Sequence, residues 1–332
     1  MRTVLVIGIG AGDPDHLTLQ AVRALQRADV VFVIDKGLDG GGSQDDLLAL
    51  RTEILRRHRP DGGYRLVTAP EVGRDRGAAV ERDDERYRDV VVDWQDRRAR
   101  LYREMLDAEL ADGATGAFLV WGDPSLYDGT LRLLDRVLDG GAGTGSTDDG
   151  WAVESVAGIS SVAALAAAHR LILNRVGRPV LVTTGRRIAE GMPADVDDVV
   201  VMLDGRTAFA TLPVEQRREL HIYWGAYLGT PDELLVAGPL DEVADEILGI
   251  RAAAGSARGG SWTPTCCAGV PTSADRPVAP TTRRSYALRR RTHHRGPVPG
   301  RRAARGGVGS GDRPGLPRRG LDRDAERRVG RG

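Results

Sequence analysis

The sequence predicts an α/β protein of two domains, each a mixed or mostly parallel sheet flanked by helices. Three observations carry that expectation. Short β-branched runs alternate with segments of helical period. Four of those runs end on glycine-bearing turns, namely Gly8-Ile-Gly-Ala-Gly-Asp13, Trp121-Gly-Asp-Pro-Ser-Leu-Tyr127, Ala157-Gly-Ile-Ser-Ser161 and Tyr227-Leu-Gly-Thr-Pro-Asp-Glu233. In open α/β sheets, ligands bind in the loops beyond the carboxyl ends of the strands. Finally, the pattern restarts near Arg178 and changes character near Ala252, which divides the chain into 1–175, 176–252 and a tail, 253–332.

Thr3–Ile9 is a run suited to a buried strand and ends at the first turn. Thr18 is placed to cap a helix in which Ala21, Ala24, Leu25 and Ala28 share a face. Val30–Ile34 forms the next strand and closes on Asp35-Lys36-Gly37, so strand, helix and strand make a βαβ unit and a parallel sheet. After a Gly/Asp loop, a helix is expected over Asp46–Arg57 and a strand over 66–70. Arg82 to Leu110 predicts a long charged helix with Val90, Trp94, Leu101, Met105 and Leu106 along its apolar side.

Ala117–Trp121 is expected as a strand, Leu131–Leu138 as a helix and Gly140–Gly150 as a flexible loop. Val153–Val156 leads through the third turn into an Ala-rich helix, Val162–His169. In the second domain, strands are expected at Pro179–Thr183, Val199–Leu203 and His221–Trp224, with Leu240–Arg251 as the last helix.

At 332 residues and 41% hydrophobic content the chain can bury real cores. Its formal net charge of zero conceals an asymmetry. Residues 252–332 hold 18 Arg against five acids, so the first 251 residues carry an acidic excess of 13. An acidic folded part is a poor nucleic-acid binder. The only lysine is Lys36; the preference for Arg, Ala and Gly reads as a GC-rich genome. Cys266 and Cys267 are adjacent and lie in the tail, which leaves no disulfide framework and no zinc spacing. The apolar run 3–9 is too short for a membrane span, and the expected compartment is the cytoplasm.

The tail is Arg/Gly/Pro-rich and has almost no apolar period, the composition of a disordered segment. A shifted reading frame accounts for it better than an RNA-binding arm does. Gly260-Ser-Trp-Thr-Pro-Thr-Cys-Cys-Ala-Gly269 can be encoded so that moving back one nucleotide reads Trp-Ile-Met-Asp-Thr-Tyr-Leu-Leu-Arg. That alternative has the apolar and β-branched composition of a strand the second domain lacks.

The first turn fits only part of a dinucleotide fingerprint. Gly8 and Gly10 match G-x-G-x-x-G, but position 13 is Asp, so the close helix–strand contact made by the third glycine is missing. No P-loop is present either. His58, His169 and His221 are isolated, without metal spacing, and no metal is expected.

Taken in order, Gly8-Ile-Gly-Ala-Gly-Asp-Pro-Asp-His-Leu-Thr18, Gly122-Asp-Pro-Ser-Leu-Tyr127 and Gly158-Ile-Ser-Ser161 resemble the signatures of the tetrapyrrole methylase family. Val33-Ile-Asp-Lys-Gly37, Thr183-Thr-Gly-Arg-Arg187, Met202-Leu-Asp-Gly205 and Ile222-Tyr-Trp-Gly-Ala-Tyr-Leu-Gly-Thr-Pro-Asp-Glu233 resemble its deacetylating branch in aerobic cobalamin synthesis. The resemblance covers roughly residues 1–251. It implies a tetrapyrrole methylase-like fold with the active site in the cleft between two α/β domains, and S-adenosylmethionine as methyl donor. It further implies methylation of precorrin-5 at ring carbon one with release of acetate, in a homodimer without membrane or nucleic-acid partners.

Carried over by motif, the cofactor would be lined by Trp121, Gly122, Asp123 and Leu126, by Ser160 and Ser161, and by Met202, Leu203 and Ala226. Gly10, Asp13 and His16 are candidates for contacting the tetrapyrrole. Arg186 and Arg187 could clamp its carboxylates, since a guanidinium matches a carboxylate bidentately, or could be plain surface charge. Asp35, at the end of the second strand, is the candidate base for the deacylation step, or an exposed loop acid beside Lys36. Asp123 is read as accepting from the ribose or amino-acid part of the cofactor, the alternative being that it merely starts its turn as an Asp-Pro pair, and Trp224 and Tyr227 could border the macrocycle or pack the second domain. The alternatives in function are another precorrin C-methyltransferase and a non-catalytic remnant impaired by its altered C-terminus.

Overall fold

The computed structural model describes residues 1–35, 43–73, 84–138, 150–192 and 196–257, all within one compact unit, Met1–Val278. Lys36, the loop 139–149 and the tail from 258 onward, with its two cysteines, lie outside the described residues.

The first half is a five-stranded parallel sheet in the order β3-β2-β4-β1-β5, with β1 at Arg2–Gly8, β2 at Val30–Asp35, β3 at Arg65–Pro70, β4 at Thr115–Val120 and β5 at Trp151–Val156. Helices α1 (Leu19–Arg27), α2 (Ser43–His58), α3 (Asp84–Glu109) and α4 (Thr130–Leu138) connect them. Val4, Leu5, Val6 and Ile7 of β1 are fully buried on both faces of the sheet. That is why β1 reads as an unbroken apolar run rather than an alternating one. Leu5 and Ile7 pack with Ala21, Ala24 and Leu25 of α1 on one face; Val4 and Val6 share the other with Met105 and Leu106 of α3. On that second face Tyr102 stacks on Phe118 at 4.8 Å, and Phe118 on Phe32 at 5.1 Å. At about 1.5–3 kcal/mol per large apolar side chain buried, these two layers dominate the stability of this half.

Local chemistry sets the helix starts, at Thr18 as expected and also at Ser160. Thr18 accepts the N–H of Ala21 at 3.1 Å and caps α1. Ser160 accepts the N–H of Ala163 at 3.2 Å and caps α5 (Ser161–His169).

The second half departs from expectation. Among the described residues its strands form two two-stranded sheets: β6 (Val180–Thr184) pairs with β7 (Asp198–Met202) in parallel, and β8 (His221–Ala226) with β9 (Leu234–Pro239) antiparallel. Strand β9 is not foreseen, because Leu-Leu-Val-Ala-Gly-Pro is short and follows a turn that elsewhere announces a helix. Helices α6 (Gly185–Ile188), α7 (Val214–Glu219) and α8 (Leu240–Ala257) complete this half. Helix α8 runs past Arg251 to Ala257, so the regular structure extends several residues beyond the composition change. We propose the domain boundary at residues 175 and 176, between the last helix beside the large sheet and β6. No helix among the described residues is long and apolar enough to cross a membrane.

Candidate functional site

The strand order locates the site. The connection from β2 runs outward to β3, whereas that from β4 runs the other way, over β1, to β5. Connections that diverge leave a crevice beyond the carboxyl ends of β2 and β4, where open α/β sheets bind ligands. Asp35 ends β2, paired in register with Pro70, and the turn Trp121–Asp123 follows β4. Asp35 is thus held at the crevice by its backbone; its side chain lies outside the described residues.

Three of the glycine turns interlock. Gly10 and Gly122 exchange backbone hydrogen bonds across an isolated bridge, Gly122 N–H to Gly10 O at 2.8 Å and the reverse at 3.3 Å. Both have positive φ, +82° and +67°, the left-handed region that glycine tolerates. A Cβ at Gly158 would overlap the Gly122 carbonyl oxygen and lie 2.8 Å from Gly8 Cα. The ends of β1, β4 and β5 can approach this closely only as glycine.

Asp123 joins two of these turns. Its Oδ2 accepts the Gly158 N–H at 2.8 Å, and its Oδ1 accepts the Ser125 N–H at 2.8 Å as well as the Ser125 hydroxyl. Burial pushes this carboxyl up, but the hydrogen bonds from Ser125 and Gly158 outweigh it and hold it below the usual aspartate range. The side chain read from sequence as a ligand contact or a turn starter therefore also spans the turns after β4 and β5. Trp121 and Leu126 are partly buried, Gly122 is buried, and Ser161 is buried at the first turn of α5.

The second half closes on the same place. Leu126 from the turn after β4, Val162 and Leu165 from α5, Met202 from the end of β7, and Ala11 and Leu228 from the first and fourth turns form one apolar cluster. Ala226 is buried one layer away, beside Trp224 and Tyr227. Leu203, with φ +54°, turns outward and is 49% exposed. The first and fourth turns are themselves in contact: a Cβ at Gly12 would overlap Leu228 O, and one at Gly229 would lie 2.8 Å from Asp13 N and from His16 Cε1. All four turns thus meet.

Between the first turn, α5 and the fourth turn lies a cleft of about 570 Å³, lined by Asp13, His16, Ala163, Ala167, Gly229 and Glu233, among others. Of the five substrate candidates, Asp13 and His16 line it, and Gly10 packs against His16. Asp13 Oδ1 accepts the Asp15 N–H at 2.8 Å, and Glu233 Oε2 accepts the Gly229 N–H at 2.8 Å. His16 Nδ1 is buried without a hydrogen-bond partner among the described residues. Neither Arg186 nor Arg187 reaches this cleft. Both are exposed on the short helix α6, where Arg187 pairs with Glu190 at 2.9 Å. The expected carboxylate clamp is therefore not formed there, since α6 carries these side chains to the surface.

One basic residue at the crevice was not legible in the sequence. Arg51, on α2, donates through Nε and Nη2 to Leu119 O at 3.2 and 2.9 Å, at the end of β4. Burial lowers its pKa, against the pull of Tyr102 and Asp128. Nothing in a charged helix marks one Arg of several as the one that turns inward.

The loop after β7 is built on a buried acid. Asp204 is 2% exposed, and both of its oxygens face the Ala208 N–H at 2.9 and 2.8 Å. A Cβ at Gly185 would collide with this carboxylate, and Arg251 of α8 donates to Asp204 O at 2.7 Å. Burial pushes the Asp204 carboxyl up. A carboxyl raised on folding contributes fully below its unfolded value, about 3.9, and that contribution is lost as pH rises through the folded value. Urea unfolding of Asp204→Asn beside the parent should therefore show the parent losing ground to the variant as pH rises above about 4. A gap independent of pH would contradict this.

Residues 3–244 match the family model for Tetrapyrrole (Corrin/Porphyrin) Methylases. The chain is 43% identical over 255 residues to a precorrin-6A synthase [deacetylating] of Sinorhizobium sp, covering 76% of this chain and 90% of that protein. It is 32% identical over 134 residues to a precorrin-2 C(20)-methyltransferase from the same source, covering 40% of this chain and 48% of that protein. Among solved structures, a cobalamin synthesis related protein (CobF) of Corynebacterium diphtheriae superposes with a TM-score of 0.64 at 32% identity, over 82% of this chain and 99% of that one.

Proposed function

The chain belongs to the tetrapyrrole methylase family, and from that premise we propose that it is the methyltransferase that converts precorrin-5 to precorrin-6A in cobalamin biosynthesis, with S-adenosylmethionine as methyl donor and acetate as second product. One observation supports this reading most: the turns after β1, β4 and β5, the end of β7 and the turn after β8 come together around one apolar cluster.

The residues present suit the cofactor. Leu126 offers apolar surface backed by the buried Met202 and Ala226, the glycine turns offer backbone groups without intervening side chains, and Ser161 sits at the positive N-terminal end of the nine-residue α5. When bound, S-adenosylmethionine supplies a methyl group already activated on a sulfonium. What remains for the protein is to align that methyl with an electron-rich ring carbon and to exclude water. Trp121, Gly122, Asp123, Ser160 and Leu203 complete the cofactor side of this reading. Gly10, Asp13 and His16 bear on the tetrapyrrole. Arg51, at the crevice, is better placed than Arg186 or Arg187 to face an acidic arm. Asp35 takes the proton from the water that attacks the acetyl carbonyl; the carbon–carbon bond breaks, its electron pair returns to the macrocycle and acetate leaves.

Purified chain incubated with S-adenosylmethionine and precorrin-5 should release acetate and incorporate methyl in equal amounts. Methyl incorporation without acetate would identify a different precorrin C-methyltransferase. Failure to bind S-adenosylmethionine in calorimetry would identify a non-catalytic remnant.

A further inference from the structure

The large sheet forks at its carboxyl end. Strands β2 and β4 pair only over Val30–Phe32 and Gly116–Phe118, although β2 stays paired with β3 as far as Asp35 and β4 with β1 as far as Val120. Beyond Phe32 and Phe118 the two strands therefore part. Main-chain groups alternate sides along a strand. Val120 O accepts the Ile9 N–H at 3.0 Å on the β1 side, so Leu119 O points into the fork. A ladder bond from β2 would ordinarily meet it there. The Arg51 guanidinium takes that place, through Nε at 3.2 Å and Nη2 at 2.9 Å.

Satisfying one carbonyl does not account for a guanidinium here. A charge withdrawn from water is costly unless an opposite charge meets it. Among the described residues the side chain of Arg51 hydrogen-bonds to Leu119 O alone, and burial lowers its pKa more than Tyr102 and Asp128 raise it. Asp128 itself accepts the Thr130 N–H at 2.8 Å. Arg98, on α3, shows the contrast. It pairs with Glu71 at 2.9 Å and lies over the rings of Trp94 and Tyr102 at 4.8 and 5.6 Å, so its charge is met within the chain. In Arg51 the Nε–Nη2 edge is committed to Leu119. That leaves the Nη1–Nη2 edge, which matches the two oxygens of a carboxylate.

We propose that the fork between β2 and β4 is a carboxylate subsite, and that Arg51 is its specificity-determining residue, its Nη1–Nη2 edge receiving one acidic arm of the substrate. This rests on the tetrapyrrole reading above and deepens it, naming the group that is read and the edge that reads it. The position fits such an arm. Leu119 stands just before the turn Trp121–Asp123, so an arm held at the fork belongs to a macrocycle lying beside the cofactor turns. The floor of the fork fits as well. Phe32 and Phe118, its last paired residues, stack at 5.1 Å, and Tyr102 stacks on Phe118 at 4.8 Å. An apolar floor lowers the local dielectric and strengthens a charge pair formed above it. Arginine keeps its charge at any working pH, so the subsite selects the ionised acid over a neutral arm of the same shape.

Fluorescence titration with uroporphyrin, whose arms are all carboxylates, and with its uncharged amide derivative provides the test. Arg51→Gln should weaken binding of the free acid about 10- to 100-fold and leave the amide within about twofold of the parent. Arg51→Lys keeps the charge but not the two-pronged edge, and should fall between the parent and Arg51→Gln. Arg56→Gln, on the same helix but exposed and paired with Glu53, should bind both probes as the parent does. S-adenosylmethionine affinity by calorimetry should be the same in all four proteins. Equal losses for the free acid and the amide overturn the proposal, since they would make Arg51 a support for Leu119 and nothing more. So does an unchanged free-acid affinity in Arg51→Gln. A parent that binds S-adenosylmethionine but not uroporphyrin overturns the tetrapyrrole reading, and this subsite with it. If Arg51→Gln does not fold, Arg51→Lys decides alone, and a free-acid affinity equal to the parent's overturns the proposal.

Discussion

Gly158→Ala should destabilise the chain by about 3 kcal/mol, lowering its Tm by about 6–12 °C, as expected for overpacking where nothing can yield. The added methyl would overlap the Gly122 carbonyl and crowd the backbone of Gly8, and all three groups are main chain at the ends of β5, β4 and β1. Side chains can rotate away from a methyl group; strand ends tied into a five-stranded sheet cannot. Gly249→Ala provides the control. Gly249 lies within α8, exposed and with nothing near the site of its missing Cβ, so alanine there should stabilise by about 0.5–1 kcal/mol through helix entropy. Thermal unfolding of both variants measures the contrast. Similar melting temperatures for the two would mean that the three glycines are not in contact.

The second large effect is expected at Asp123. Asp123→Ala leaves the Gly158 N–H without its acceptor and frees Ser125, so the turns after β4 and β5 lose their common tie. Leaving a part-buried donor unmatched costs about 1–3 kcal/mol, and because those turns form the cofactor side of the proposed site, S-adenosylmethionine affinity should fall about 10- to 100-fold. Isothermal calorimetry gives the affinity, and circular dichroism checks that the sheet remains. Acid titration adds a second readout. The Asp123 carboxyl is held low in the folded chain, so its contribution is present above its unfolded value and is lost as pH falls through the folded one. Asp123→Asn should therefore flatten the acid limb of the stability profile relative to the parent. An unchanged affinity in Asp123→Ala would separate this carboxylate from the binding site.

Much of the first half was legible from local patterns. An unbroken apolar run such as Thr3–Ile9 identifies a strand covered on both faces, and Thr18 caps α1 through the side-chain oxygen that its residue type supplies. The turns were legible because glycine is needed wherever main chains touch or φ turns positive, as at Gly10, Gly12 and Gly122. Tyr102 was missed among the charges of α3, although it stacks on Phe118; its period was visible but its partner was not. Arg51 was missed for the same reason, and for Arg186 and Arg187 the sequence left a carboxylate clamp and plain surface charge both open. The end of β6 leads into the short helix α6, which directs them outward.

Local pattern along the chain specified the strands and helices around the larger sheet, where glycine must stand, and the family to which the ordered turns belong. These properties reside in residues close together along the chain, in their period, caps and backbone freedom. The fold alone placed Asp123 across two turns and buried Asp204 against Gly185. Those outcomes depend on which main-chain groups find partners across distant stretches of chain, and pairing of that kind leaves no periodic trace in the sequence.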